Sequence, residues 1–188
     1  MKFASQGGPL PVSADLLLLV DVINSFRFPG GETLAQEALP VARRIAALKK
    51  RLRAEGVPAI YANDNEGQWQ ADFGALLARC ERLGGAAAEF ARRLPPRRGD
   101  LPLLKPRHSA FLGTPLDLML KHMRVRRIVL VGLATDLCVQ FTAMDAYLRG
   151  FRLWVPADCT AAQQPRHKAE ALAYMRRVLK ADVRPAAP

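Results

Sequence analysis

The 188 residues are half hydrophobic, enough to bury the core of one ordinary domain, and no apolar run is long enough to span a bilayer. Lys and Arg outnumber Asp and Glu by 28 to 17, a formal net charge of +11, so the surface should attract anions. Three cysteines with no CxxC spacing exclude a disulfide scaffold and fit a reducing cytoplasm.

Residues 1–14 carry one Lys, two proline-flanked turns and no signal-peptide core, and read as a loose N-terminal arm. The apolar run Leu16–Val20 is the first expected strand. A helix follows over Thr33–Glu55, basic at its end, with Gly56 as its C-cap. Val57–Ala62 is the second strand, and Asn63, Asp64 and Asn65 read as the turn after it. Helices are expected over Phe73–Cys80 and Ala86–Arg93, then a stiff polar connector, Pro95–Asp100. The third strand, Leu101–Leu104, enters Lys105, where Pro106 stops its ladder. A short helix over Pro115–His122 is opened by Thr114, and the strand Arg127–Val131 contains the apolar, mostly β-branched run Ile128–Val131, which reads as buried on both faces. Gly132 should end that strand. Thr135 or Asp136 can then cap a helix that starts at Leu137 or Cys138 and runs to Arg149, with Gly150 as its stop. Phe151–Val155 is a fifth strand, Arg166–Leu179 a closing helix, and Ala181–Arg184 a possible last strand. Alternation of this kind implies parallel βαβ units: a single Rossmann-like, three-layer αβα domain over residues 15–185, with a mostly parallel five- or six-stranded sheet.

Three chemically competent side chains fall at strand ends, where open α/β sheets bind ligands. Cys138 lies at the turn from strand to helix, where the helix dipole favours thiolate. Asp21 ends the first strand, and Lys105 is the one charge entering the third. Each alone has an ordinary explanation: a packed thiol, a turn cap, a solvated amine. Together they place acid, cation and thiol on one sheet edge, which is the chemistry of covalent acyl transfer.

The blocks around these residues resemble the isochorismatase-like cysteine hydrolases, a group that includes nicotinamidase and N-carbamoylsarcosine amidase relatives. They are Leu19-Val-Asp-Val-Ile-Asn-Ser-Phe26, Lys105-Pro-Arg-His-Ser-Ala-Phe111 and Gly132-Leu-Ala-Thr-Asp-Leu-Cys-Val139, in the family's order and at comparable spacing. The resemblance covers about Asp15 to Val183. It implies a catalytic triad of Asp21, Lys105 and Cys138, a cis bond before Ala134, and an oxyanion hole from the amides of Ala134 and Cys138. Asp21 would take the thiol proton, Lys105 would stabilise the thiolate, and a thioester would form and then be hydrolysed with Asp21 as base. Members cleaving the isochorismate vinyl ether can lack the cysteine, so its presence here points to amide or ureido C–N bonds in a small molecule.

Nicotinamidase-like members hold a divalent metal with an Asp and several His after the second strand. Here residues 59–73 contain no histidine. Asp64, Glu66 and Asp72 supply oxygen only, and His108, His122 and His167 are not spaced as a local ligand pair. No metal and no other cofactor is expected. Substrate-contact candidates are Asn63, Asn65 and Trp69 after the second strand, with Phe26 and Phe111. Arg107 is either a carboxylate binder or half of a surface ion pair. Phe26 and Phe111 have core packing as their ordinary role, and Trp69 either lines the pocket or packs across it.

Runs such as Lys49-Lys50-Arg51 leave a rival function, a catalytically silent relative acting as a basic nucleic-acid- or protein-binding module. The cations are scattered and no recognition-helix or RNA-binding signature accompanies them, so nucleic acid is not the expected partner. A homo-oligomer is expected, with Trp154 or residues 84–94 as contact surface.

Overall fold

A computed structural model describes residues 9–186. The chain orders as strand β1 (Asp15–Val20), helix α1 (Gly31–Ala54), β2 (Ala59–Asp64), α2 (Phe73–Leu83), α3 (Gly85–Arg93), β3 (Leu101–Lys105) and α4 (Leu116–His122). It continues with β4 (Arg127–Leu133), a π-helical turn (Thr135–Val139), α5 (Gln140–Leu148), β5 (Arg152–Trp154), β6 (Thr160–Ala161) and α6 (Pro165–Arg177). Most of the expected N-terminal arm lies outside the described residues. Its last part is held: Ser13 N donates to Met123 O, and Arg126 N and Arg127 N donate to Ala14 O.

The strands pair in parallel in the order β3-β2-β1-β4-β5, with β6 beside the far end of β4. Side-chain alternation along each strand divides the core in two. Leu16, Leu18, Ile60, Ile128 and Leu130 face α4, α5 and α6. Leu17, Leu19, Tyr61, Val129 and Val131 face α1, α2 and α3. This is the expected αβα sandwich, and its central strands are apolar throughout because both faces are covered. The chain leaves β1 toward β2 and β3, then returns to β4 on the other side. The crevice between the carboxyl ends of β1 and β4 is therefore the sheet's switch point.

Several boundaries differ from the sequence reading for identifiable reasons. β2 extends through Asn63 and Asp64, which pair with Leu104 and Lys105. Ladder hydrogen bonds to β3 override the turn preference of both residues, and the reversal starts at Asn65, with Glu66 at φ 53° and Gln68 N donating to Asn65 O. β4 passes through Gly132 to Leu133, because β6 supplies a neighbour there. Gly132 has φ +123°, and a Cβ on it would lie 1.9 Å from Val20 O, so only glycine lets β4 approach β1 at this point. The helix after β4 begins earlier than expected, as a π turn in which Ala134 O accepts from Leu137 N and Val139 N. Neither Thr135 nor Asp136 caps it: the Thr135 hydroxyl and one carboxylate oxygen of Asp136 are buried without a hydrogen-bond partner. The expected last strand is reduced to one bridge, Trp154 to Asp182. Gly56, at φ +78°, sits just past α1, and Val57 N behind it donates to Leu52 O, as a glycine-terminated helix requires.

Candidate active site

Parallel pairing sets the site. Val20 is in register with Gly132 and Ala62, and Asp64 with Lys105, so Asp21, Asp64, Lys105 and the turn after β4 reach the same edge. Asp21 follows β1 in the left-handed region, φ 51°, with its backbone N–H donating to Ala62 O. Such a conformation costs an L-residue energy and is tolerated where surroundings hold it. The Leu133–Ala134 peptide is cis.

Lys105 is fully buried, and Asp21 is 6% exposed. Lys105 Nζ lies 2.9 Å from Asp21 Oδ2 and donates to Cys138 Sγ at 3.4 Å. The other Asp21 oxygen accepts from Asp64 N at 2.7 Å. Asp64 adds a second carboxylate, 3.7 Å from Lys105 Nζ.

Burial dominates the electrostatics. It pushes the Cys138 thiol well above the ordinary cysteine range, with the Asp21 charge adding to the rise and Lys105 opposing it. Burial and the neighbouring carboxylate thus work against the thiolate that the helix dipole favours. Burial also raises Asp21, although Lys105 works to lower it. Burial works to lower Lys105, but the Asp21 and Cys138 charges overcome it and the amine is held above its usual value. An acid and a thiol gathered round one buried amine can pass a proton from sulfur to carboxylate without importing charge.

A cleft of about 480 Å³ opens beside this cluster, lined by Asp64, Asn65, Trp69, Pro106, Arg107 and His108. A wider one of about 780 Å³ adjoins it along Asp64, Asn65 and Trp69. Trp69 is 81% exposed on their shared rim, and Arg107 is exposed on the opposite wall. Asn65 is buried and holds the turn through Gly67 N, at 2.9 Å. Asn63 points to the other face of the sheet, where its amide donates to Ile23 O at 2.7 Å. Phe26 rests on Phe90, at 5.5 Å between ring centroids. Phe111 is buried between Phe151 and the Arg149 guanidinium. Asn63, Phe26 and Phe111 line neither cleft.

His108 is the residue that sequence reading passed over. Its Nδ1 lies 3.6 Å from Cys138 Sγ and the ring packs on Phe141. Its place three residues after Lys105, past the Pro106 strand stop, was the available signal. Of the oxygen groups after β2, Glu66 is engaged by Arg79 and Ser25, and Asp72 caps α2 through Ala75 N. Among the described residues no group of three metal-binding side chains comes together.

A parallel αβα sheet with acid, amine and thiol at its switch point defines an isochorismatase-like hydrolase, and comparison supports the same class. The isochorismatase domain family matches residues 15–184, and the chain belongs to that family. It is 38% identical to the isochorismatase family protein YaaI of Bacillus subtilis, over 89% of this chain and 91% of that protein. It is 31% identical to the ureidoacrylate amidohydrolase RutB of Methylorubrum extorquens, over 84% and 74% respectively. The structure of N-carbamoylsarcosine amidase from Thermoplasma acidophilum superposes with a TM-score of 0.68 at 29% identity, covering 94% of this chain and 98% of that one. The nicotinamidase of Staphylococcus aureus, at 22% identity and a TM-score of 0.72 over 94% and 100%, shares the fold.

Proposed function

We propose that residues 15–185 form one catalytic domain that hydrolyses an amide or ureido C–N bond of a small molecule through a thioester on Cys138. The observation that carries this reading is the buried contact of Lys105 Nζ with both Asp21 Oδ2 (2.9 Å) and Cys138 Sγ (3.4 Å), at the edge of an open cleft. The similarity to an amidase and to an amidohydrolase of ureido compounds points the same way.

In this reading the carbonyl of the substrate enters above Cys138. The thiol gives its proton to Asp21 as sulfur attacks, so the thiolate exists only during the step, beside the Lys105 charge. The developing oxyanion is received by the amides of Ala134 and Cys138, and preorganised backbone donors of this kind are worth about 3–4 kcal/mol each. Asp21 then returns the proton to the departing nitrogen, the C–N bond breaks, and the acyl group remains on sulfur. Arg107 and Trp69 flank the entrance and supply a cation and an aromatic face for the rest of the substrate, an arrangement suited to a carboxylate-bearing ureido or amide compound.

The experiment is ammonia release from a panel of small amides and ureido acids, wild type against Cys138→Ala. Turnover lost in the variant supports the reading. Equal turnover in both proteins, or none in either across the panel, sinks it.

A further inference from the structure

Hydrolysis makes no use of the basic runs Lys49-Lys50-Arg51 and Arg92-Arg93, nor of Arg97-Arg98 after them. The fold brings these segments together. The end of α1, the end of α3 and the connector before β3 enclose a cleft of about 440 Å³ whose lining includes Lys49, Lys50, Arg53, Arg93 and Arg97. Its other lining side chains are aliphatic, so neither a carboxylate nor an aromatic ring is among them. The cleft shares no lining residue with the two beside the catalytic cluster, and it lies at the amino ends of the strands, the opposite edge of the sheet.

The five cations are not equally engaged. Lys49 Nζ, which is buried, donates to Tyr61 Oη, Pro95 O and Asp100 Oδ2, at 2.6, 3.2 and 2.6 Å. Arg53 reaches Asp100 Oδ1 at 3.5 Å and Arg98 O at 3.3 Å, and Arg93 pairs with Glu89. Lys50 and Arg97 are exposed, and among the described residues no acceptor engages either side chain. Five cations against two carboxylates, Asp100 and Glu89, leave an excess of three positive charges on one small concavity. Burial lowers the Lys49 pKa, Asp100 opposes the fall, and the Arg97 and Arg53 charges add to it. Like charges are crowded here, and an anion relieves the crowding.

We propose that this cleft is a binding site for a small anion with two linked phosphate groups, held by Lys50, Arg53 and Arg97 above the Lys49–Asp100 pair. Guanidinium forks take phosphate oxygens two at a time, and a lysine adds a point charge. A single phosphate would leave much of the space and of the excess charge unmatched. A nucleic-acid strand needs a longer track and rings on which bases stack, and this cleft supplies neither. The diphosphate can come free or as part of a nucleotide whose sugar and base project into solvent. Because the site lies away from Cys138, its occupancy does not depend on the proposed hydrolysis.

The test is calorimetric titration of the full chain with inorganic pyrophosphate, ADP and AMP at near-physiological salt, where diffuse attraction between exposed charges is screened. One pyrophosphate or ADP per chain is expected, with AMP at least about 10-fold weaker for want of the second phosphate. Lys50→Ala combined with Arg97→Ala should weaken pyrophosphate about 10-fold or more. Arg176→Ala combined with Arg177→Ala removes the same charge from α6 and should leave affinity unchanged. All four side chains are exposed, circular dichroism checks the fold, and Arg97→Gln alone should show the loss in part. ADP bound tighter than pyrophosphate assigns a nucleotide as the source; pyrophosphate bound as tightly or more so assigns the diphosphate itself. Equal weakening by the two double variants overturns the proposal, as does AMP bound as tightly as ADP. So does the lack of saturable binding at millimolar pyrophosphate and ADP. A single-stranded oligonucleotide that binds tighter than both, with several chains per strand, replaces the site with a nucleic-acid surface.

Discussion

At the scale of single residues, one buried cation holds two protonation problems together. Lys105 is fully buried and touches an acid and a thiol, so removing its charge strands Asp21 in a site with little water. Lys105→Met is expected to cost about 3–5 kcal/mol of stability, the usual result of breaking a buried pair from one side, along with all turnover; a thermal melt and the ammonia assay check both. In the proposed route Asp21 is ionised to accept the thiol proton, and burial raises its pKa. The sign follows: activity is present above that raised value and lost as pH falls through it. The acid limb of kcat/KM should therefore lie above the ordinary carboxylate range, and Asp21→Asn should remove activity at every pH. Cys80 and Cys159 are pushed up to about 11 and about 12, chiefly by burial, so neither offers a competing thiolate at neutral pH.

At the scale of elements, the crossing of β1 and β4 sets how closely Asp21 and Cys138 approach. Gly132→Ala would push a Cβ into Val20 O, a backbone atom that cannot rotate away. The loss should exceed the 0.5–3 kcal/mol typical of point mutations, read as a large fall in denaturant midpoint. A second device anchors the opposite end of the sheet. Lys49 Nζ donates to Tyr61 Oη and to Asp100 Oδ2, each at 2.6 Å, and Tyr61 Oη donates to Leu94 O at 3.1 Å. These bonds tie α1 to β2 and to the connector before β3. Tyr61→Phe leaves a buried ammonium and a carbonyl short of one partner, at about 1–3 kcal/mol. Activity should persist at temperatures where the variant remains folded, since Asp64 at the other end of β2 is untouched. Both devices escaped sequence reading because each joins residues from separate segments, and no local pattern encodes such a meeting.

At the scale of the whole molecule, the apolar surface is unevenly spread. Leu137, Phe141 and Leu148 are exposed along the π turn and α5, and Leu148 is 78% exposed. The Trp154 indole donates to Arg184 O, and Ala87, Phe90 and Ala91 of α3 pack into the core. We expect self-association through the α5 stripe. Light scattering should show an oligomer that Leu148→Asp reduces, and a monomeric wild type would refute the idea. Among the described residues no helix is long and apolar enough to cross a membrane.

Apolar periodicity, the glycine after α1 and the proline after Lys105 were enough to give the alternating elements, the parallel sandwich and the three strand-end side chains. These features depend on neighbours within a few residues, so the sequence states them directly. Tertiary contact decided the rest. Ladder bonds from β3 drew Asn63 and Asp64 out of their turn. Burial beside Asp21 raised the Cys138 pKa against the pull of the helix dipole. Asn63 was sent to the far face of the sheet, and His108 was brought to the sulfur. Each outcome rests on a dielectric or a distance set by segments remote in the chain, which order along the sequence does not contain.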